Sequence, residues 1–134
     1  MGTNVDLVRA IFAAWERGDW SSAGWAHPQI EFVVVDGPSP ARSTGLAGMA
    51  DYWRDFLRAW EGYRVQPDEY RTLDEARVLV LLHIVGGRGK ASGMDLGQIV
   101  QSGANVFHIS HGKVTRFVVY FEGRRALAEL GLEQ

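Results

Sequence analysis

No cysteine occurs among the 134 residues, so the chain has no disulfide, no thiolate nucleophile and no thiolate zinc site. An excess of either charge is missing too. Fourteen basic and sixteen acidic residues leave a formal net charge of −2, with nothing to steer the chain toward nucleic acid or an anionic membrane. Long apolar runs are lacking. The longest, Val78 to Val85, is interrupted by His83 and falls far short of a membrane span. Asp6, Arg9 and Glu16 lie inside the first helical stretch and exclude the apolar core of a signal peptide, so a cytoplasmic setting is expected. What is present argues for a packed domain. Hydrophobic residues make up 46% and charged residues 22%, which excludes the disordered class, and the length fits one domain spanning 1–134. Five tryptophans and six phenylalanines are many for that size, and all five tryptophans precede residue 61.

Val5, Val8, Ile11, Phe12 and Trp15 recur at helical spacing, with Thr3 or Asn4 as cap and Gly18 as the stop. A second short helix is expected over Trp20 to Ala26, ending at His27-Pro28. Ile30 to Val35 is β-branched and bounded by turn residues, so it reads as a buried strand, and Pro38 to Gly45 as loop. Met49, Tyr52, Trp53, Phe56, Leu57 and Trp60 form one apolar stripe, opposite Asp51, Arg54, Asp55 and Arg58, on a surface helix ended by Gly62. From Tyr63 the period becomes two. Strands are expected over 63–73, 77–85, 104–109 and 114–121, with bulges suggested by six glycines between Gly86 and Gly103, and a short helix over 124–130. Helices followed by a run of hairpins exclude an alternating α/β fold. The expected class is α+β: a cone-shaped, curved antiparallel sheet packed on three helices.

These residues resemble the nuclear transport factor 2-like superfamily, and within it the SnoaL-like branch. The marks are Val8 to Trp15 followed by Gly18-Asp19, then His27-Pro28, Gly45-Leu46, Gly112-Lys113-Val114, and Tyr120 leading to Ala126-Leu127 and Gly131-Leu132. The likeness implies a pocket for a small hydrophobic molecule inside the cone. Its lining would be Ile11, Trp15, Trp25, Val34, Trp53, Phe56, Val80, Leu82, Phe107, Phe117, Val119 and Phe121. It also implies that Val78, Val80, Leu82 and Ile84 face inward while Leu79, Leu81, His83, Val106, His108, Val118 and Tyr120 face outward. An outer face so apolar leads to the expectation of a homodimer through it.

Ketosteroid isomerases are the best-understood relatives. The resemblance puts their carboxylate base at Val33 or Val34, their tyrosine donor at Ile11 and their protonated aspartic acid at Asn105. Valine cannot accept a proton, so isomerase chemistry does not carry over. Two candidates for catalytic work remain. Asn105 is a lone amide on an apolar face, able to orient a substrate, and Asp36 is the carboxylate nearest the missing base. Backbone bonding at a bulge and ordinary Asp-Gly-Pro turn chemistry are their structural alternatives. His83 would need a carboxylate partner, and the sequence points to none. Glu122 is expected to cap the closing helix. The four histidines lack metal-ligand spacing, and Gly89-Lys90 lacks the rest of a phosphate loop, so neither metal nor cofactor is expected. Two functions stand side by side: a cofactor-independent isomerase, cyclase or hydrolase, and a non-catalytic module that binds small molecules or proteins.

Overall fold

The computed structural model describes residues 3–20, 22–37, 40–90, 92–95 and 102–132. Pro38 and Gly97, which figure in the expected loop and glycine cluster, lie outside them. The elements are α1 (Asn4–Glu16), β1 (Ala26–Val34), β2 (Ala41–Thr44), α2 (Leu46–Ala59), β3 (Trp60–Thr72), β4 (Arg77–Gly89), β5 (Ser102–Ser110), β6 (Lys113–Tyr120) and α3 (Gly123–Glu129). The α+β class is as expected, with three helices and one six-stranded sheet among the described residues.

Helix α1 starts at a reciprocal cap. The Asp6 backbone N–H donates to Thr3 Oγ1 at 3.0 Å, and the Thr3 N–H donates to the Asp6 carboxylate at 3.2 Å. Gly18, at φ +84°, ends it in the left-handed region. The described residues of 20–26 do not form the expected second helix. They make a loop whose backbone is claimed by tertiary partners: Val114 N–H donates to Trp25 O at 2.8 Å, and Lys113 Nζ donates to Gly24 O. Strand β1 consequently begins at Ala26, before His27-Pro28, where the Gln29 N–H donates to His27 Nδ1 at 2.9 Å.

The sheet runs β2-β1-β6-β5-β4-β3. Every pair is antiparallel except one: β1 lies parallel to β6, with Phe32 beside Phe117 and Val34 beside Val119. The sheet is therefore mixed, not purely antiparallel. Strand β2, in the stretch expected to be loop, completes one edge by pairing with β1. Glycines 86, 87 and 89 belong to β4 itself, and at Gly86 its bulged pairing with β3 leaves no room for a side chain. A Cβ at Gly86 would sit 2.5 Å from Gly62 O.

The two faces separate as the alternation requires. Inward, Val78, Val80, Leu82 and Ile84 join Phe107, Phe117, Val119 and Phe121 against Ile11, Phe12, Trp53 and Phe56 of the helices. Outward, Val33, Leu79, Val106, Val118 and Tyr120 form a second core under Ala126, Leu127 and Leu130 of the α3 region. Part of the apolar outer face is thus covered by the chain's own last helix. Glu122 takes the N-cap position of α3, but its side chain makes no capping bond. The Tyr120 hydroxyl donates to Glu129 at 3.0 Å and pins that helix down.

Candidate functional site

Helical spacing brings Trp15 to the last turn of α1 and Trp53 to the inner stripe of α2, and the loop between α1 and β1 supplies Trp20 and Trp25. The four indoles meet around Trp15: Trp20 stacks on it at 5.2 Å, while Trp25 and Trp53 each approach it at 6.3 Å between ring centroids. Beside them opens a cleft of about 560 Å³, lined among the described residues by these four tryptophans with Ala23, Leu46, Met49 and Leu57, and by two polar side chains, Ser22 and Arg54. Such a volume and lining suit a small, largely apolar ligand. The loop wall is fixed by its own hydrogen bonds. Asp19 accepts from the Ser22 backbone N–H at 3.1 Å and from its hydroxyl at 2.7 Å, and Trp25 Nε1 donates to Ser22 O at 2.9 Å. Arg54 is the charged group at the rim, shared between Asp51 at 3.2 Å and Asp55 at 3.7 Å.

Of the twelve pocket residues named from sequence, the cleft brings together Trp15, Trp25 and Trp53. The other nine (Ile11, Val34, Phe56, Val80, Leu82, Phe107, Phe117, Val119 and Phe121) pack on one another in the interior. Phe107 and Phe117, opposite each other on β5 and β6, stack at 4.7 Å, and Phe56 stacks on Phe121 at 5.7 Å. Trp60 lies apart from the other indoles, against Phe56 and beside a second, smaller cleft of about 290 Å³ that includes Tyr52.

Asn105 is the single polar residue in the buried set of described residues, 6% exposed, on the inner face between Val80 and Val119. Asp36 reaches from the end of β1 to the end of β6, where its Oδ1 accepts from the Phe121 N–H at 2.6 Å. Its Oδ2 is buried without a hydrogen-bond partner. Neither residue lines the tryptophan cleft.

Three features escaped sequence reasoning. Asp68, at a register shift where Pro67 pairs with Leu82 and Glu69 with Leu81, places both carboxylate oxygens near His83 Nδ1, at 2.8 and 2.9 Å. The dyad that His83 lacked on paper therefore exists. It lies on the outward-facing side of β4, 42% and 48% exposed, away from the tryptophan cleft. Tyr63 is the second. It is buried between Phe56 at 4.9 Å and Trp20 at 5.5 Å, and burial together with the nearby Tyr52 pushes its phenol strongly upward. The only sequence signal was its position at the start of an alternating strand. The third is His108, whose imidazole is held below its ordinary value by burial, then by Arg116 and Arg77, against the opposing pull of Asp74 and Glu31. Among the described residues no three His, Asp or Glu side chains gather as a metal site, and no helix is long and apolar enough to cross a membrane.

A curved mixed sheet wrapped over two long helices, with an aromatic cleft at the helical side, defines the α+β cone class. Several solved structures share it. An NTF2-like protein from Burkholderia thailandensis superposes with a TM-score of 0.79 at 19% identity, covering 99% of this chain and 100% of that one. A SnoaL-like polyketide cyclase from Agrobacterium tumefaciens gives 0.70 at 16% identity, covering 89% and 91%. A ketosteroid isomerase-like fold from Catenulispora acidiphila, in complex with trimethylamine, gives 0.68 at 17% identity, covering 98% and 96%. At those identities the likeness is one of fold. No curated protein matches the chain. The SnoaL-like domain model matches residues 8–117, and the chain belongs to that family.

Proposed function

We propose that this SnoaL-like chain binds a small hydrophobic molecule, of polyketide, terpenoid or steroid size, in the tryptophan cleft. The observation that carries this reading is the convergence of four indoles on one cleft of about 560 Å³. Indole rings offer large apolar faces at little rotamer cost, and a wall held by Asp19 and Ser22 lowers the ordering cost of binding. Ligand entry should quench tryptophan fluorescence and raise the melting temperature, and Trp25→Ala should weaken both effects. A broad panel of steroids, terpenoids and aromatic polyketides that produces neither signal sinks the proposal.

A catalytic reading is favoured by two separate observations: the buried Asn105 amide and the unpartnered Oδ2 of Asp36. In that reading the reaction is a cofactor-independent isomerisation, cyclisation or hydration, in which Asn105 orients the substrate and Asp36 accepts a proton. Because neither residue lines the tryptophan cleft, this reading places the reacting substrate away from it, and Asn105→Ala and Asp36→Asn should then abolish any turnover detected. Unchanged rates in both variants would leave the binding reading alone.

A further inference from the structure

The outer face holds a second concavity of different character. Its volume is about 520 Å³, its floor includes Val33, Val106 and Val118, and arginines enter its lining from four elements: Arg42 of β2, Arg77 of β4, Arg116 of β6 and Arg125 of α3. Two of these are already matched. Arg77 Nε lies 2.8 Å from Asp74, and Arg125 Nε lies 2.9 Å from Glu129. Arg42 and Arg116 take part in none of the ion pairs among the described residues. Arg116 is the more telling. Its Nε is buried with no hydrogen-bond partner, a donor that has lost water and gained nothing. Glu31 stands opposite it on β1, yet no carboxylate oxygen of Glu31 closes the pair, and on its other side Arg116 faces His108, which in turn faces Arg77.

We propose that this cleft is a binding site for a small organic carboxylate, whose charged end sits between Arg116 and Arg42 and whose apolar body lies on the valine floor. A guanidinium fork matches a carboxylate in two parallel hydrogen bonds, and a bound carboxylate would supply Arg116 with the counter-charge that it lacks among the described residues. The valines explain why the ligand needs a hydrocarbon part and inorganic anions do not suffice. His108 reports the same field. Burial first, and then Arg116 and Arg77, hold its imidazole toward the neutral form against Asp74 and Glu31, so a carboxylate bound beside the arginines raises its titration midpoint. This site is independent of the tryptophan cleft on the other face.

Octanoate and inorganic phosphate are the probes, titrated into the 134-residue chain while the His108 ring and the β6 amides are followed by NMR. Octanoate should saturate, shift those resonances, move the His108 midpoint upward and leave tryptophan fluorescence unchanged. Arg116→Gln should weaken it about tenfold or more, the loss of a charge-assisted hydrogen bond. Arg42→Gln, on an exposed edge strand where misfolding is not at issue, should weaken it as well. Binding unchanged in both variants, phosphate binding as tightly as octanoate, or octanoate reporting only at the tryptophans overturns the assignment. So does a stable homodimer by sedimentation whose interface covers His108 and excludes octanoate.

Discussion

Burial pushes the phenol of Tyr52 from its ordinary value of 10.0 up to about 12, and Tyr120, buried and bonded to Glu129, rises to about 12 as well. Tyr63 rises further. A phenol that holds its proton more tightly in the folded chain contributes its full stability below pH 10. It loses that contribution as the pH climbs through the folded value, because the unfolded chain binds fewer protons over that interval. The urea midpoint should therefore fall between about pH 10 and pH 12, and Tyr63→Phe should flatten part of the fall. A midpoint that ignores pH in that range would contradict the burial of these hydroxyls. Asp36→Ala strips the Phe121 N–H of its acceptor and should cost about 1–3 kcal/mol in urea denaturation, with Asp36→Asn costing less. Asp68→Asn, at an exposed pair, should cost under about 1 kcal/mol. Asp36 and His83 could both be singled out in the sequence, but their partners could not. The Phe121 N–H lies far along the chain from Asp36, and Asp68 reaches His83 only through a register shift that alternation does not encode.

Elements whose stability is local were readable; those that borrow their hydrogen bonds were not. Helix α1 carries its cap within its first turn, so Thr3→Ala should cost about 1 kcal/mol by thermal or urea unfolding. Helix α2 shows one stripe on the interior, and Trp53→Ala should cost about 3–5 kcal/mol, since Trp53 packs against Trp15, Trp20 and Phe32. The faces of β4, β5 and β6 are those that the family resemblance implied, with a register shift between His108 and Ile109 that turns both Val114 and Phe117 inward. The segment after Gly18 is expected to be a short helix, yet Trp20 stacks on Trp15, and β6 and Lys113 take up its carbonyls. Tertiary contacts outweigh a weak helical preference there. Strand β2 is Ala-Arg-Ser-Thr, without an apolar face to announce it, and exists because the edge of β1 offers backbone partners. The cleft was half readable for the same reason. Trp15 and Trp53 follow from helix period, but Trp20 and Ser22 depend on how the loop closes.

Across the whole molecule, the sheet has one core on each face, and the outer one is completed by the α3 region. Removing residues from Gly123 onward should uncover Ala104, Val118 and Tyr120, and the shortened chain should bind a hydrophobic dye and self-associate, measured against the full chain at equal concentration. The parallel join between β1 and β6 has a further consequence, in time rather than in space. Strand β1 precedes the other five strands in the chain and pairs with β2 on one side, but its other side needs β6, the last of the six. Phe32 must wait for Phe117. Until then the nascent chain exposes an unpaired strand edge, and closure demands a long loop, which slows the final step. The interval of greatest risk is thus the one between the synthesis of β1 and that of β6, when a chaperone has most to shield.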